Sequence, residues 1–234
     1  MSRQFSDYVS DIGKSNLARL ADSSTSVKDY SEALYQLGKE LGNILIPKIT
    51  GEHQRICVAC TVEDADFLAK GIIESLSVLS VDVSLACFWN QRQQALSIAP
   101  IIKKYREPAV SNANIVIIVK SIISGACVVK TNLTSLIQEV DPARIFVVAP
   151  VMHTDAQKKL NSEFPKTIAD KFNYIYFAVD DEKQADGNLL PGIGGNIYQR
   201  LGFMGQDDKN KFTPQLVKAR RELLISASKQ KIAV

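Results

Sequence analysis

Apolar residues along this 234-residue chain fall into two alternating textures. The first is helical. In "SVKDYSEALYQLGKELGNIL", Tyr30, Leu34, Leu37, Leu41 and Ile44/Leu45 recur at three- and four-residue steps, which puts them on one face of an amphipathic helix. Residues 15–50 read as two helices separated by "DSSTS", a polar cluster suited to a turn followed by an N-cap. The second texture consists of short apolar runs: "ICVAC", "VDVSLACFW", "ANIVIIVK", "RIFVVAPV" and "YIYFAVD". Such uniformly apolar runs are strands buried on both faces. The segments between them, "DADFLAKGIIESLSVL", "QALSIAPIIKKYR", "VVKTNLTSLIQEV" and "TDAQKKLNSEF", read as helices. This alternation predicts an α/β fold, with a mainly parallel sheet flanked by helices. In such sheets ligands sit beyond the carboxyl ends of the strands.

The texture changes after Phe203. "MGQDDKNKF" reads as a polar connector, and Thr213-Pro214 as an N-cap and first-turn pair opening a last helix. Leu216, Leu223 and Ala227 share a stripe there, with Val217 and Leu224 beside it, while Lys218, Arg221 and Lys229 fall away from it. The expected division is therefore a domain over residues 1–203 and a connector with a basic amphipathic helix over 204–234.

Composition narrows the class. With 46% hydrophobic and 23% charged residues the chain can bury a full core without staples. No run approaches the roughly 20 apolar residues of a membrane span, and "MSRQFSDYVSDIGK" lacks the apolar centre of a signal peptide, so a cytoplasmic protein is expected. The net charge of +3 is too small to mark a nucleic-acid binder. Base is instead concentrated in "KNKFTPQLVKARRELLISASKQK". Cys57, Cys60, Cys87 and Cys127 lie in or beside apolar runs and read as free thiols; "CVAC" has no second pair, and His53 and His153 lack companions at ligand spacing. No metal or cofactor is expected.

With this order of elements in place, several stretches resemble the uracil phosphoribosyltransferases, a family with the type I phosphoribosyltransferase fold. "LARLADSSTSVKDYSEALYQLGKELGNIL" is similar to that family's opening, "FWNQRQQALSIAP" to its "YRNEET" segment, and "VVAPVMHTDAQKKLNSEFP" to its "VAAPEG" segment. "DGNLLPGIGGNIYQRLGF" is similar to "GYIVPGLGDAGDRLFG", the family's uracil loop. The resemblance runs in unbroken order from about Leu17 to Phe203. It implies a site that joins uracil to phosphoribosyl pyrophosphate, with a clamp for the leaving diphosphate and a nest for the 5′-phosphate.

The motif residues depart from that pattern in three places. Against a phosphate loop of the form "LLLDPMLATGGS" stands "IIVKSIISGACV". Lys120 takes the place of the acid that holds the ribose hydroxyls, and an ammonium cannot accept their hydrogen bonds. Ser121 follows it, Ser124 and Gly125 match the Thr-Gly pair, and Ala126 and Cys127 replace glycine and a hydroxyl residue. Against the diphosphate loop "LRAGLG" stands "ACTVEDAD", in which Thr61 is followed by Glu63, Asp64 and Asp66 and no cation intervenes between Arg55 and Lys70. That loop should repel a diphosphate unless a metal intervenes, although Asp64 and Asp66 also suit the first turn of the following helix. In the uracil loop Pro191, Gly192, Ile193 and Gly194 match, while Gly195, Asn196 and Gln199 replace the acids. A Pro-Gly-x-Gly turn can equally be what the backbone needs there.

Loss of motif residues at three places within a continuous resemblance implies a degenerate phosphoribosyltransferase, a pseudoenzyme serving as a binding or assembly subunit of a larger complex. The alternative is a nucleotide-metabolism enzyme, either a phosphoribosyltransferase or one that cleaves or exchanges an N-glycosidic bond with Glu63, Asp64 or Asp66 as acid or base; magnesium enters only there. The resemblance also implies a homodimer. The last helix is the expected contact for a protein partner, through Lys218, Arg220, Arg221, Leu223 and Leu224, with nucleic acid a further candidate for its basic face. Its bland reading is a helix docked on the chain's own surface.

Overall fold

A computed structural model describes residues 3–49, 51, 53–93, 98–185 and 187–232, with the side chains of the last helix described through Lys229. An eight-stranded sheet forms the centre. In chain order its strands are β1 (Arg3–Phe5), β2 (Arg55–Thr61), β3 (Asp82–Asn90), β4 (Ile101–Arg106), β5 (Ile115–Val119), β6 (Ile122–Ile123), β7 (Arg144–His153) and β8 (Phe172–Asp180). They lie in the order β1-β8-β7-β5-β2-β3-β4, with the short β6 beside β7. The inner pairings β8-β7, β7-β5, β5-β2 and β2-β3 are parallel, and both edge strands run antiparallel to their neighbours. Glu182–Lys183 (β9) and Leu189–Leu190 (β10) make a separate two-stranded ribbon.

Alternation along β2 shows how the sheet divides its neighbours. Ile56, Val58 and Cys60 point into one core with α1 (Asp11–Ala21) and α2 (Val27–Leu45). Cys57 and Ala59 point into the other, with α4 (Cys127–Ile137) and α5 (Ala156–Ser162). The helix after β2, α3, covers the first face over residues 62–76 and carries a π-helical turn at Ala65–Ala69. The remaining helices are α6 (Lys166–Ala169), α7 (Ile197–Arg200), α8 (Gln206–Lys211) and α9 (Gln215–Ile232). Ser26, inside the polar cluster between the first two helices, accepts a hydrogen bond from the Asp29 amide and caps α2. No helix among the described residues is long and apolar enough to cross a membrane.

Two elements differ from the sequence expectation. "QALSIAPIIKKYR" is not a helix where it is described: Ile101–Arg106 pairs with β3 as an antiparallel edge strand, and residues 94–97 lie outside the described residues. An edge strand tolerates the lysines that suggested a helix, because Lys103 lies over the Trp89 ring and Lys104 reaches Glu139 on the exposed side. The polar connector contains α8, which buries Lys209 completely.

Candidate functional site

The carboxyl ends of β2 and β5 meet in a cluster of opposite charges. Thr61 ends β2, and the chain turns into α3 so that Glu63 and Asp64 face β5, whose last residue is followed by Lys120. The Lys120 ammonium donates to Asp64 Oδ2 at 2.7 Å and to Glu63 Oε1 at 3.2 Å. Asp64 is fully buried and its carboxylate is satisfied on every side: the Thr61 hydroxyl donates to Oδ2 at 2.6 Å and the Ser121 amide to Oδ1 at 3.1 Å. A second ammonium arrives from α8. Lys209 Nζ lies 3.8 Å from Glu63 Oε2 and donates to the Asn90 carbonyl at 2.9 Å. Two acids and two ammoniums thus offset one another in a largely buried volume, where any one of them alone would be costly.

The protonation states follow from this packing. Burial pushes the Glu63 carboxyl up, but the Lys120 and Lys209 ammoniums more than offset it and hold it below the usual range. Burial also works against the charge on Lys120, yet Asp64 and Glu63 raise its basicity above that of a free lysine. For Lys209 burial wins, and its ammonium is less basic than usual despite Glu63. Tyr198, over whose ring the Lys209 ammonium lies, is pushed up to about 12, chiefly by burial and then by Glu63. Lys120, held as an ammonium by its two carboxylates, is not set up as a general base near neutral pH.

Asp66, grouped with Glu63 and Asp64 on sequence grounds, lies on the π-helical turn and serves another helix. Its carboxylate accepts from the amides of Gln215 and Leu216, at 3.0 and 2.8 Å, and so caps the start of α9.

In the loop after Lys120, Ile122 and Ile123 pair with β7, and Ser124, Gly125 and Ala126 lead, half-exposed, into α4. Cys127 opens that helix, its thiol raised by burial, and no side chain caps the helix at Ala126. The Ser124 carbonyl accepts from Lys183 at 3.1 Å.

The segment Pro191–Asn196 packs against the N-terminal helices. The Gly192 amide donates to Asp180 Oδ2 at 2.9 Å, and its carbonyl accepts from Arg3, which also pairs with Asp180. The buried Tyr30 hydroxyl donates to the Ile193 carbonyl at 3.0 Å. Gly192 and Gly194 have φ of +56° and +75°, and a Cβ on either would stand 2.3 Å from a backbone carbonyl oxygen, that of Leu189 or of Leu20. Asn196 caps α7 by accepting from the Tyr198 amide. Gly192, Ile193, Gly194 and Asn196 therefore have structural duties, whereas a Cβ at Gly195 would meet nothing within 4 Å.

In the last helix, Val217 is buried and Arg220 binds Glu107 through two hydrogen bonds of 2.6 and 2.7 Å. Lys218 is exposed; Arg221 lies over the Tyr105 ring, and from there through Lys229 every residue is exposed, Leu223 and Leu224 among them. Sequence reasoning missed Lys209, Asn90 and Tyr198 as parts of the charged cluster, because nothing in the local texture of "QDDKNK" distinguishes a buried lysine from a solvated one. Among the described residues no group of three or more His, Cys, Asp or Glu could hold a metal. An open groove of about 820 Å³ lies elsewhere, between α5 and the sheet at β7, β8 and β1, lined in part by His153, Lys158 and Tyr176.

No protein-family model matches the chain, and no curated protein matches it in sequence. Among solved structures, the AQ2163 protein from Aquifex aeolicus is similar over 84% of this chain and 97% of its own, with a TM-score of 0.69 at 16% identity, which shows a shared fold. Smaller overlaps are found with hypoxanthine phosphoribosyltransferases. The enzyme from Staphylococcus aureus gives a TM-score of 0.44 at 13% identity over 65% of this chain and 76% of its own. The hypoxanthine-guanine enzyme from Bacillus anthracis gives 0.41 at 12% over 66% and 75%.

Proposed function

We propose that this chain is a uracil phosphoribosyltransferase-like protein that has given up phosphoribosyl transfer and acts as a binding or assembly subunit, with residues 1–203 as the transferase-like domain and 204–234 as a connector and partner-binding helix. One observation carries the reading: Lys120 is bonded to Asp64 and Glu63. The lysine stands where the resemblance calls for a ribose-binding acid, and the two acids stand where it calls for a diphosphate-binding arginine and glycines. Their departures compensate each other inside one cluster. A diphosphate entering there would have to displace an ammonium from two carboxylates and then lie beside them, which is repulsive at a buried site. The exposed run from Arg221 to Lys229 supports the partner role.

UMP formation from uracil and phosphoribosyl pyrophosphate with magnesium is the direct test. No turnover is expected, and turnover on the ordinary enzyme scale of about 1–1000 per second overturns the reading. Calorimetry should find no magnesium-dependent binding of phosphoribosyl pyrophosphate tighter than about 1 mM, equivalent to roughly −4 kcal/mol. The reading also includes a homodimer, as the resemblance implies, and light scattering that gives a monomer at micromolar concentration removes that part of it.

A further inference from the structure

Residues beyond Phe203 reach the charged cluster through polar contacts more than through apolar packing. From Phe203 to Lys229 the buried residues are Lys209, Pro214 and Val217. The attachments are largely polar: Lys209 on the Asn90 carbonyl, the Trp89 indole N–H on the Phe212 carbonyl at 2.8 Å, Gln206 on the Arg92 carbonyl, Asp66 on the first two amides of α9, and at the far end Arg220 on Glu107 and the Val83 carbonyl, with Phe212 and Leu216 packed half-buried on the first core. Segments with so few buried apolar side chains occupy the low end of a protein's local stabilities. Lys209 itself is uneasy where it sits, since burial lowers its basicity and Glu63 Oε2, 3.8 Å away, has no hydrogen-bond partner among the described residues. Release would hydrate both groups and so offset part of what is lost in leaving.

We propose that residues 206–220 form a detachable strap over the carboxyl ends of β2 and β3, seated by Lys209, and that its release opens the Glu63–Asp64–Lys120 cluster to solvent and ligand. This regulation rests on the reading that the ligand side of the sheet lies there. In the strapped state the cluster is covered by the chain's own ammonium. In the released state Glu63 and the Asn90 carbonyl lose that cover, while the Lys120–Asp64 bond, made between β5 and α3, remains.

Trp89 is the only tryptophan in the sequence, is fully buried, and is bonded to the strap at Phe212, so its emission reports seating. The test is hydrogen exchange of the full chain read by mass spectrometry, with urea titrations followed by Trp89 emission and by far-ultraviolet ellipticity. Amides of residues 206–220 should exchange at least about tenfold faster than those of β2 and β5. Trp89 emission should shift to the red at lower urea than the main loss of ellipticity. Asp66→Ala, which removes the cap of α9, should widen both differences and leave exchange in β2 and β5 unchanged. Exchange of 206–220 as slow as that of β5, with coincident urea transitions, would overturn the proposal; the unsubstituted protein alone decides this if the variant fails to fold. Neither readout involves phosphoribosyl pyrophosphate, so activity in the transfer assay would refute the loss of catalysis without touching the strap.

Discussion

Lys120 and Asp64, 56 positions apart in sequence, are joined by a 2.7 Å hydrogen bond that ties the end of β5 to the first turn of α3. Loss of Lys120 would leave the buried Asp64 carboxylate without its cation, and loss of Asp64 would leave Lys120 with Glu63 alone. Lys120→Asp, the obvious attempt to restore a ribose-binding acid, would place a third carboxylate beside Glu63 and Asp64. It should unfold the protein before it rescues any chemistry.

The pair should behave as a unit in a double-mutant cycle. Lys120→Met and Asp64→Asn are each expected to cost about 3–5 kcal/mol in urea denaturation, the usual penalty for a broken buried pair. The double variant should cost clearly less than the sum of the two. Strict additivity would mean that the contact contributes no coupling.

Acid should weaken the fold through Glu63. Its folded pKa lies below the ordinary 4.5, so the folded state holds this proton less readily than the unfolded chain does. The resulting stability is present above about pH 4.5 and is lost as pH falls from there through the depressed folded value. Urea midpoints measured from pH 6 down to pH 3 should show this slope, and Glu63→Gln should flatten it.

Two glycines in the segments compared with transferase loops should respond oppositely to alanine. Gly194→Ala sets a Cβ 2.3 Å from the Leu20 carbonyl oxygen at a φ of +75°, and should cost more than about 2 kcal/mol. A Cβ at Gly125 meets nothing within 4 Å, so Gly125→Ala should stay within about 0.5 kcal/mol. Comparable losses at both sites would mean that the uracil-like loop is no more constrained than the phosphate-like one.

Deletion of residues 221–234 should leave Tm within about 3 °C of the full chain, the equivalent of roughly 1 kcal/mol at this size. The reason is that the residues from Arg221 to Lys229 are exposed. A partner recovered with the full chain and lost with the shortened one, at unchanged Tm, supports the assembly role. A large fall in Tm would show that the tail stabilises the body.

Much of the architecture was legible in the sequence because short β-branched apolar runs alternating with helical stretches form the buried strands of a parallel sheet. The runs around Val58, Ile117 and Val147 became the parallel centre of the sheet. β1 escaped notice because three residues carry no periodicity, and β4 because a lysine pair on an outer edge resembles a helix's solvated face. Glu63, Asp64 and Lys120 were each legible as departures from a motif, but not as partners: periodicity reports which face a side chain occupies and says nothing of contacts dozens of residues away. The acidic loop, judged alone, suggested repulsion of a diphosphate, and the lysine loop a lost ribose contact. Judged together, the loops neutralise each other.

Arg3 holds Asp180 and the Gly192 carbonyl, 177 and 189 positions downstream. During synthesis from the N-terminus, β1 therefore has no strand to join until Asp180, 177 residues later, has been made. The earliest-made strand is the last to find its place, a long-range closure that slows folding and leaves an unpaired edge exposed while the rest assembles.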